Sequence, residues 1–544
     1  MKRTLLLRIE LLSAVIIVSL LSALILHRDV IAGATSNFKG VLTYHNNNLR
    51  TGWNSSETSL TLKNVNSKTF GKLFEISADG LVDAQPLYVS HVSTRGNGAH
   101  NVLYVATEHD TVYGFDADDG STLWQATVSG AGETPSDDRS CEQVTPEIGV
   151  TATPVIDLEA GPHGTIYLVA MSKDSSGHYH QRLHALDITS GGEEFGGPVE
   201  IEAKYQGSGD NSQNGYVIFD PKQYKERAGL LLLNHIVYTS WASHCDNRPY
   251  TGWIISYNDT TLEQKSVLNV TPNGHEGAIW GSGGGLAADD SGNIYFLDAN
   301  GSFDATLNSS GFPVNGDYGN AVMKLSTKND QLAVSDYFNT YNTLSESEAD
   351  KDLGSGGAMV VPTFKDFSGK LHELVVGAGK DANIYLANRT NLGKFNPNNN
   401  DQIYQELTRS LAGPVFSTPA FADNRIYYGA VGDTIKAFSF NTEGLLSSKP
   451  ASTTSTRFAY PGASPSVSGN SASNLILWVT ENTEPIVLHA YNANNLGEEL
   501  YNSNQAGGGR DYFGDGNKYI TPTIANGKVY VGSTDGVGVL GLLP

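Results

Sequence analysis

The sequence predicts an all-β protein, an eight-bladed propeller of four-stranded antiparallel blades, closed by pairing an N-terminal strand with the C-terminal blade. Three observations carry that reading. A strand–turn–strand cadence recurs down the chain, a series of prolines keeps one phase of it, and helical periodicity is absent after the first 34 residues.

The cadence is clearest from Asn101 to Val128, where a strand, a turn and a second strand run through a glycine turn into Trp124. With Asp116 as the phase marker, the equivalent positions are Asp187, Asn258, Ser326, Asn388, Ser439 and Asn492, and a last unit ends at Gly541. That gives eight units roughly 50–70 residues apart, the spacing of four-stranded propeller blades. A unit that buries only part of its apolar face needs neighbours, so a closed array follows.

The proline series is Pro86, Pro154, Pro362, Pro419, Pro465 and Pro522, each placed at the start of a short segment ahead of a strand pair. Proline cannot donate to a ladder and is confined to edges or strand starts. The innermost strand of a blade is such an edge. Strands two and three follow as aromatic and β-branched runs, Ile166–Val169, Ile294–Leu297, Ile426–Tyr428 and Val529–Val531. Such runs read as strands covered on both faces. The last unit, Tyr519 to Leu543, holds three strands, and Lys72–Ile76 is a strand left over at the other end. Pairing the two removes the open edges.

Residues 1–34 read as a signal peptide: Lys2, Arg3 and Arg8 precede the apolar run Leu11–Leu26, and Ala32-Gly33-Ala34 closes the segment. Retention as a membrane anchor is the alternative, because the run is long for a signal and short for a span. The expected location is secreted or periplasmic. Residues 41–544 form a single propeller domain with no linker to divide it. The net charge of −22 argues against nucleic acid and anionic membrane as partners. The two cysteines, Cys141 and Cys245, make neither C-x-x-C nor C-x-x-C-H, so the expectation is one structural disulfide. A monomer is expected.

At Phe115–Trp124, FDADDGSTLW, the chain resembles the repeat of the quinoprotein alcohol dehydrogenase-like propellers, which bind pyrroloquinoline quinone (PQQ). The resemblance implies PQQ and Ca²⁺ near the ring axis, a tryptophan floor, a ring of adjacent cysteines above it, and calcium held by Glu and Asn beside a catalytic Asp. Gly283, Gly284 and Gly285, followed by a strand and Asn300-Gly301, are similar to the family stretch with a glycine triplet, the floor Trp and the calcium Asn. Asn300 matches that Asn. The floor position falls on Ala288 or is deleted, with Trp280 upstream. Asp350-Lys351-Asp352 matches the D-x-D carrying the catalytic Asp, and Asp246 is the acid nearest the place of the calcium Glu. The adjacent cysteines have no counterpart.

Loops leading into each innermost strand and loops between strands two and three share one mouth. They carry His109, Asp110, Glu147, His244, Asp246, His275, Glu276, Asp352, Lys380, Asp381, Asp433, Glu481, Lys518 and Asp535, with both cysteines. Hairpin turns favour Asp for their own sake. His244, His275 and Glu276 are not turn formers, so with Trp280 they stand out as ligand-contacting candidates. Two functional readings stay open. One is a non-catalytic binding or scaffold propeller engaging a protein, a glycan or a small ligand. The other is a PQQ- and Ca²⁺-dependent dehydrogenase of alcohols or sugars with a rearranged site. A hydrolase has no G-x-S-x-G elbow to support it.

Overall fold

The computed structural model describes residues 38–94 and 98–544. The chain divides into two units, Met1–Lys39 and Gly40–Pro544. The targeting segment expected at residues 1–34 lies outside the described residues. No helix among the described residues is long and apolar enough to cross a membrane.

The second unit is a β-propeller. Ten sheets are present among the described residues; a three-stranded and a two-stranded one are accessories, and the other eight share a four-strand antiparallel core. Blade 1 runs outward through Leu87–Thr94, Gly98–Ala106, Thr111–Asp116 and Thr122–Thr127. Blades 2 to 7 repeat this, with innermost strands Val155–Asp157, Leu231–Leu233, Ala287–Ala288, Met359–Val360, Ala420–Ala422 and Ser466–Ser468. Blade 8 is composite: Thr523–Ala525, Lys528–Gly532 and Gly536–Leu542 are completed by Phe70–Ser77, with Phe70 opposite Leu542 and Ser77 opposite Gly536. The seven phase markers from Asp116 to Asn492 each end a third strand. Among the described residues one α-helix is present, Thr343–Glu348 after blade 4; its short stretch carries no periodic signal in the sequence.

Apolar clusters join consecutive blades face to face. One combines Tyr427, Ala437 and Phe458 of blade 6 with Val467, Leu477 and Tyr491 of blade 7. Between blades the second-strand tyrosines reach the end of the next blade's third strand: Tyr104 Oη donates to Ile188 O at 3.1 Å, Tyr167 to Asp259 O at 2.9 Å, and Tyr427 to Ala493 O at 3.1 Å. Tyr530 of blade 8 does the same to Ala117 beside blade 1, at 3.5 Å, so the series closes on itself. Each buried hydroxyl that finds such a partner contributes about 1 kcal/mol. Trp124 adds to the first junction, its Nε1 donating to Ile188 O at 2.9 Å. A Cβ on Gly114 would lie 2.5 Å from that indole, and one on Gly191 of the next blade also 2.5 Å, so both glycines make room for the ring.

Five of the six prolines stand immediately before an innermost strand. Pro362 does not. It follows Met359–Val360, because Val360 N donates to Leu49 O and Val361 N to Leu374 O, and the strand must precede the residue without a donor.

The segment Gly40–Asn54 is a strap that touches the inner edge of every blade. Gly40–Val41 pairs with blade 1 and Trp53–Asn54 pairs with blade 7. Leu42 O accepts from Ile156 N of blade 2, Asn48 O from Ala288 N of blade 4, Leu49 O from Val360 N of blade 5 and Thr51 O from Phe421 N of blade 6, at 2.7–3.0 Å. Asn48 Nδ2 reaches Leu232 O of blade 3 and Asn54 Nδ2 reaches Ile524 O of blade 8, both at 2.8 Å. Arg50, fully buried, donates to Leu286 O, Thr43 Oγ1, Tyr44 O and Leu230 O at 2.6–3.1 Å. The innermost strands are therefore not bare edges; their outstanding donors and acceptors are met by the strap.

Candidate functional site

Above the strap, the mouth loops surround a pocket of about 40 Å³ lined by Gln143, Arg227, Asp246, Trp280, Ser282, Asp352, Ser355, Lys380, Phe416 and Tyr519. Its residues come from the loops leading into blades 2 to 6 and blade 8 and from the loops between strands two and three of blades 3 and 5. Cys141 and Cys245 are joined, Cα to Cα 5.6 Å, which ties the loop before blade 2 to the loop carrying Asp246.

Asp350 and Asp352 have different settings. Asp352 is buried and lines the pocket, whereas the Asp350 side chain is 69 % exposed. Lys380 Nζ joins them, 2.6 Å from Asp352 Oδ1 and 2.5 Å from Asp350 Oδ1. Asn300 Nδ2 donates to Asp350 at 2.9 Å, leaving Asn300 Oδ1 buried without a partner. Burial pushes the Asp352 carboxyl up to about 6, with Lys380 pulling the other way. Burial also works against the ammonium of Lys380, but the two aspartates outweigh it and raise its pKa.

Asp246 accepts from Tyr250 Oη at 2.7 Å, and Glu276 lies 3.5 Å from His275 Nδ1. Glu276 bridges to Gly301, so the backbone brings the His275-Glu276 loop beside Asn300. Asp246, Glu276 and Asp350 have φ of 55°, 62° and 52°, left-handed values that non-glycine residues adopt at a cost. His244 is buried, both ring nitrogens lack partners, and desolvation, helped by Lys225, pulls its pKa down to about 3. Trp280 is part-exposed on the pocket, while Trp241 and Trp253 are core, packed with Phe219 and Tyr224.

Gly283, Gly284 and Gly285 make a close backbone crossing: Gly229 N donates to Gly284 O, and a Cβ on Gly285 would lie 2.8 Å from Gly229 O and 3.1 Å from Arg50. Other mouth acids are consumed in their own loops. Asp433 pairs with Lys436, Glu481 with His489, Asp381 accepts from Tyr385 Oη, and His109 pairs with Glu147 at the rim. At the opposite end Asp157, His235 and Asp259 offer ligand atoms within 4.8 Å of one another. His235–Asp259 is a like pair at the same end of its blade as His100–Asp116 and His163–Asp187, but its acid lies one residue beyond the phase marker Asn258.

Four site residues escape the sequence reading: Asp83, Glu108, Lys225 and Arg227. The signal was present in Lys225-Glu226-Arg227 abutting the apolar run Ala228–Leu233, three charges leading straight into a buried strand. Glu108, Lys225 and Arg227 are all buried, and Arg227 lies over the ring of Tyr519 at 4.1 Å.

No family model matches the chain, and no curated protein matches it. Solved structures do. The chain is similar to the quinohemoprotein alcohol dehydrogenase of Comamonas testosteroni, with 14% identity over 94% of this chain and 82% of that one, at a TM-score of 0.61. It is similar to the quinohemoprotein alcohol dehydrogenase ADHIIG of Pseudomonas putida HK5, with 12% identity, 93% and 80% coverage and a TM-score of 0.59. A europium-containing methanol dehydrogenase gives 12% identity, 91% and 89% coverage and a TM-score of 0.56. The protein has the β-propeller fold of the quinoprotein alcohol dehydrogenases.

Proposed function

We propose that the protein is a ligand-binding propeller working outside the cytoplasm, which takes a small polar molecule at its mouth rather than a quinone. The observation that carries this reading is the size of the pocket. About 40 Å³ admits a group of a few heavy atoms. Sites for larger organic ligands run to roughly 300 Å³ or more, and a fused three-ring quinone belongs with those. The place of an aromatic floor, Ala288, is a buried position of blade 4's innermost strand. Calcium wants six to eight oxygens, yet the carboxylates nearest Asn300 are already bridged by the Lys380 ammonium. The residues present therefore do not fit PQQ with Ca²⁺. The disulfide supports an oxidising compartment.

A PQQ- and Ca²⁺-dependent dehydrogenase is the second reading, favoured by the chain of contacts Asn300–Asp350–Lys380–Asp352 among the residues that the sequence resemblance matches to the calcium Asn and the D-x-D. Reconstitution decides between them. Protein incubated with PQQ and Ca²⁺ should show no stoichiometric uptake by absorbance, and dye-linked oxidation of an alcohol and sugar panel should stay at background. Stoichiometric uptake with turnover would overturn the first reading.

A further inference from the structure

Away from the mouth, three metal-ligating side chains converge at the opposite end of the ring. Asp157 ends the innermost strand of blade 2, His235 lies in the turn after the innermost strand of blade 3, and Asp259 follows that blade's third strand. One ligand atom from each lies within 4.8 Å of the other two. His235 Nδ1 is 2.9 Å from Asp259 Oδ2, and Asp259 keeps 2% of its side-chain surface.

The turns do not account for this arrangement. In blades 1 and 2 the acid of the like pair is the phase marker itself, and it caps its own turn. Asp116 Oδ1 accepts from Asp118 N at 2.8 Å, and Asp187 Oδ1 from Thr189 N at 2.7 Å. In blade 3 the marker Asn258 does that work, its Oδ1 accepting from Thr260 N at 3.1 Å and Thr261 N at 3.0 Å. Asp259 is therefore spared. Among the described residues its Oδ1 accepts no hydrogen bond and its Oδ2 meets only His235. No lysine or arginine among them comes within 4.0 Å of Asp259 or Asp157. Asp157 Oδ1 accepts from Glu159 N at 2.8 Å, and its Oδ2 accepts from no described residue. Even a protonated imidazole would offset one carboxylate of the two, and a carboxylate as buried as Asp259 is costly without a cation.

We propose that Asp157, His235 and Asp259 hold a divalent transition-metal ion, with Zn²⁺ the best fit, and that the ion clamps blade 2 to blade 3. Zinc takes imidazole nitrogen and carboxylate oxygen at about 2.0–2.2 Å, so its ligand atoms stand about 3–4 Å apart. His235, whose side chain is 77% exposed, can turn to close the set, and solvent can supply a fourth ligand. The nitrogen donor favours zinc over calcium, which wants six to eight oxygens. Tyr167 of blade 2 already reaches Asp259 O at this seam, at 2.9 Å. The Cys141–Cys245 bridge ties the loop before blade 2 to a blade 3 loop at the mouth, and the metal fastens the same two blades at the far end.

The site is independent of the pocket at the mouth. Titration calorimetry with Zn²⁺ alone, on the intact protein first freed of metal by a chelator, tests it. One equivalent should bind, about tenfold or more tighter than Ca²⁺, and saturation should raise the melting temperature by several degrees. Asp157→Asn and His235→Ala should each weaken Zn²⁺ about tenfold or more. His163→Ala, at a like pair with no third ligand among the described residues, should leave it unchanged. Both site variants should keep the metal-free melting temperature, so that lost affinity reads as lost ligation. Absence of binding, a preference for Ca²⁺, or Zn²⁺ uptake undiminished in Asp157→Asn and His235→Ala would overturn the proposal, the last by moving the ion to other histidines such as His244 or His275 at the mouth.

Discussion

Lys380 Nζ lies 2.6 Å from Asp352 Oδ1 in a pocket where Asp352 keeps 2% of its side-chain surface. Breaking a buried pair from one side leaves the other charge stranded, which costs about 3 kcal/mol or more. Lys380→Met should lose that much stability near neutral pH, measured by denaturant unfolding. The loss depends on pH. Folded Asp352 holds its proton more tightly than an unfolded aspartate, so its contribution is present below the ordinary carboxylate range and lost as pH rises through about 6. Without Lys380 the carboxyl moves higher still. The variant's deficit should be larger at pH 8 than at pH 4, and an equal deficit at both would remove Asp352 from the explanation.

Arg50 serves four oxygens from one side chain, on three stretches of chain. Arg50→Met strands those acceptors in the core, each at about 1–3 kcal/mol. Marginal domains do not survive that loss. The expected outcome is an insoluble or protease-labile protein, and Arg50→Lys should not rescue it because one ammonium cannot reproduce the fork. Limited proteolysis of both variants is the check.

The Cys141–Cys245 bond closes a loop with a sequence separation of 104. In the chain-entropy account a cross-link over so long a loop stabilises by about 4.7 kcal/mol, against about 2–4 kcal/mol for disulfides in general. The double serine variant should unfold at correspondingly lower denaturant, while keeping its β-sheet circular dichroism. A shift near zero would mean that the blades already hold the two loops together.

Trp124 fills the space between Gly114 and Gly191 and bonds Ile188 O. Trp124→Phe removes the bond and part of the packing, for an expected loss of about 1–2 kcal/mol. Gly191→Ala should cost more than a surface substitution, since its φ is 69° and its Cβ would strike the indole. Thermal melting of the two variants ranks them.

Much of the ring was legible because its signal is local and repeated. Asp116 and its successors each end a third strand, and the leftover strand at Lys72–Ile76 found its partner as its composition required. The strap was not legible. Its side chains show no period, and partners such as Asn54 and Ile524 are 470 residues apart. The site divides in the same way. Asn300, Asp246 and Asp352 were named from a resemblance and do gather on one side of the mouth. Lys225 and Arg227 were passed over because a charge beside an apolar run looks solvated in one dimension, and only folding showed that the mouth walls them in.

Strand Phe70–Ser77 and the strap are synthesised long before blade 8, which they need and which needs them. Until Gly536–Leu542 emerges, the growing chain carries an unpaired strand at its front and seven blades without a closure. Closure of the ring therefore waits for the last strand, and loss of Gly536–Leu542 would leave Phe70–Ser77 without its partner.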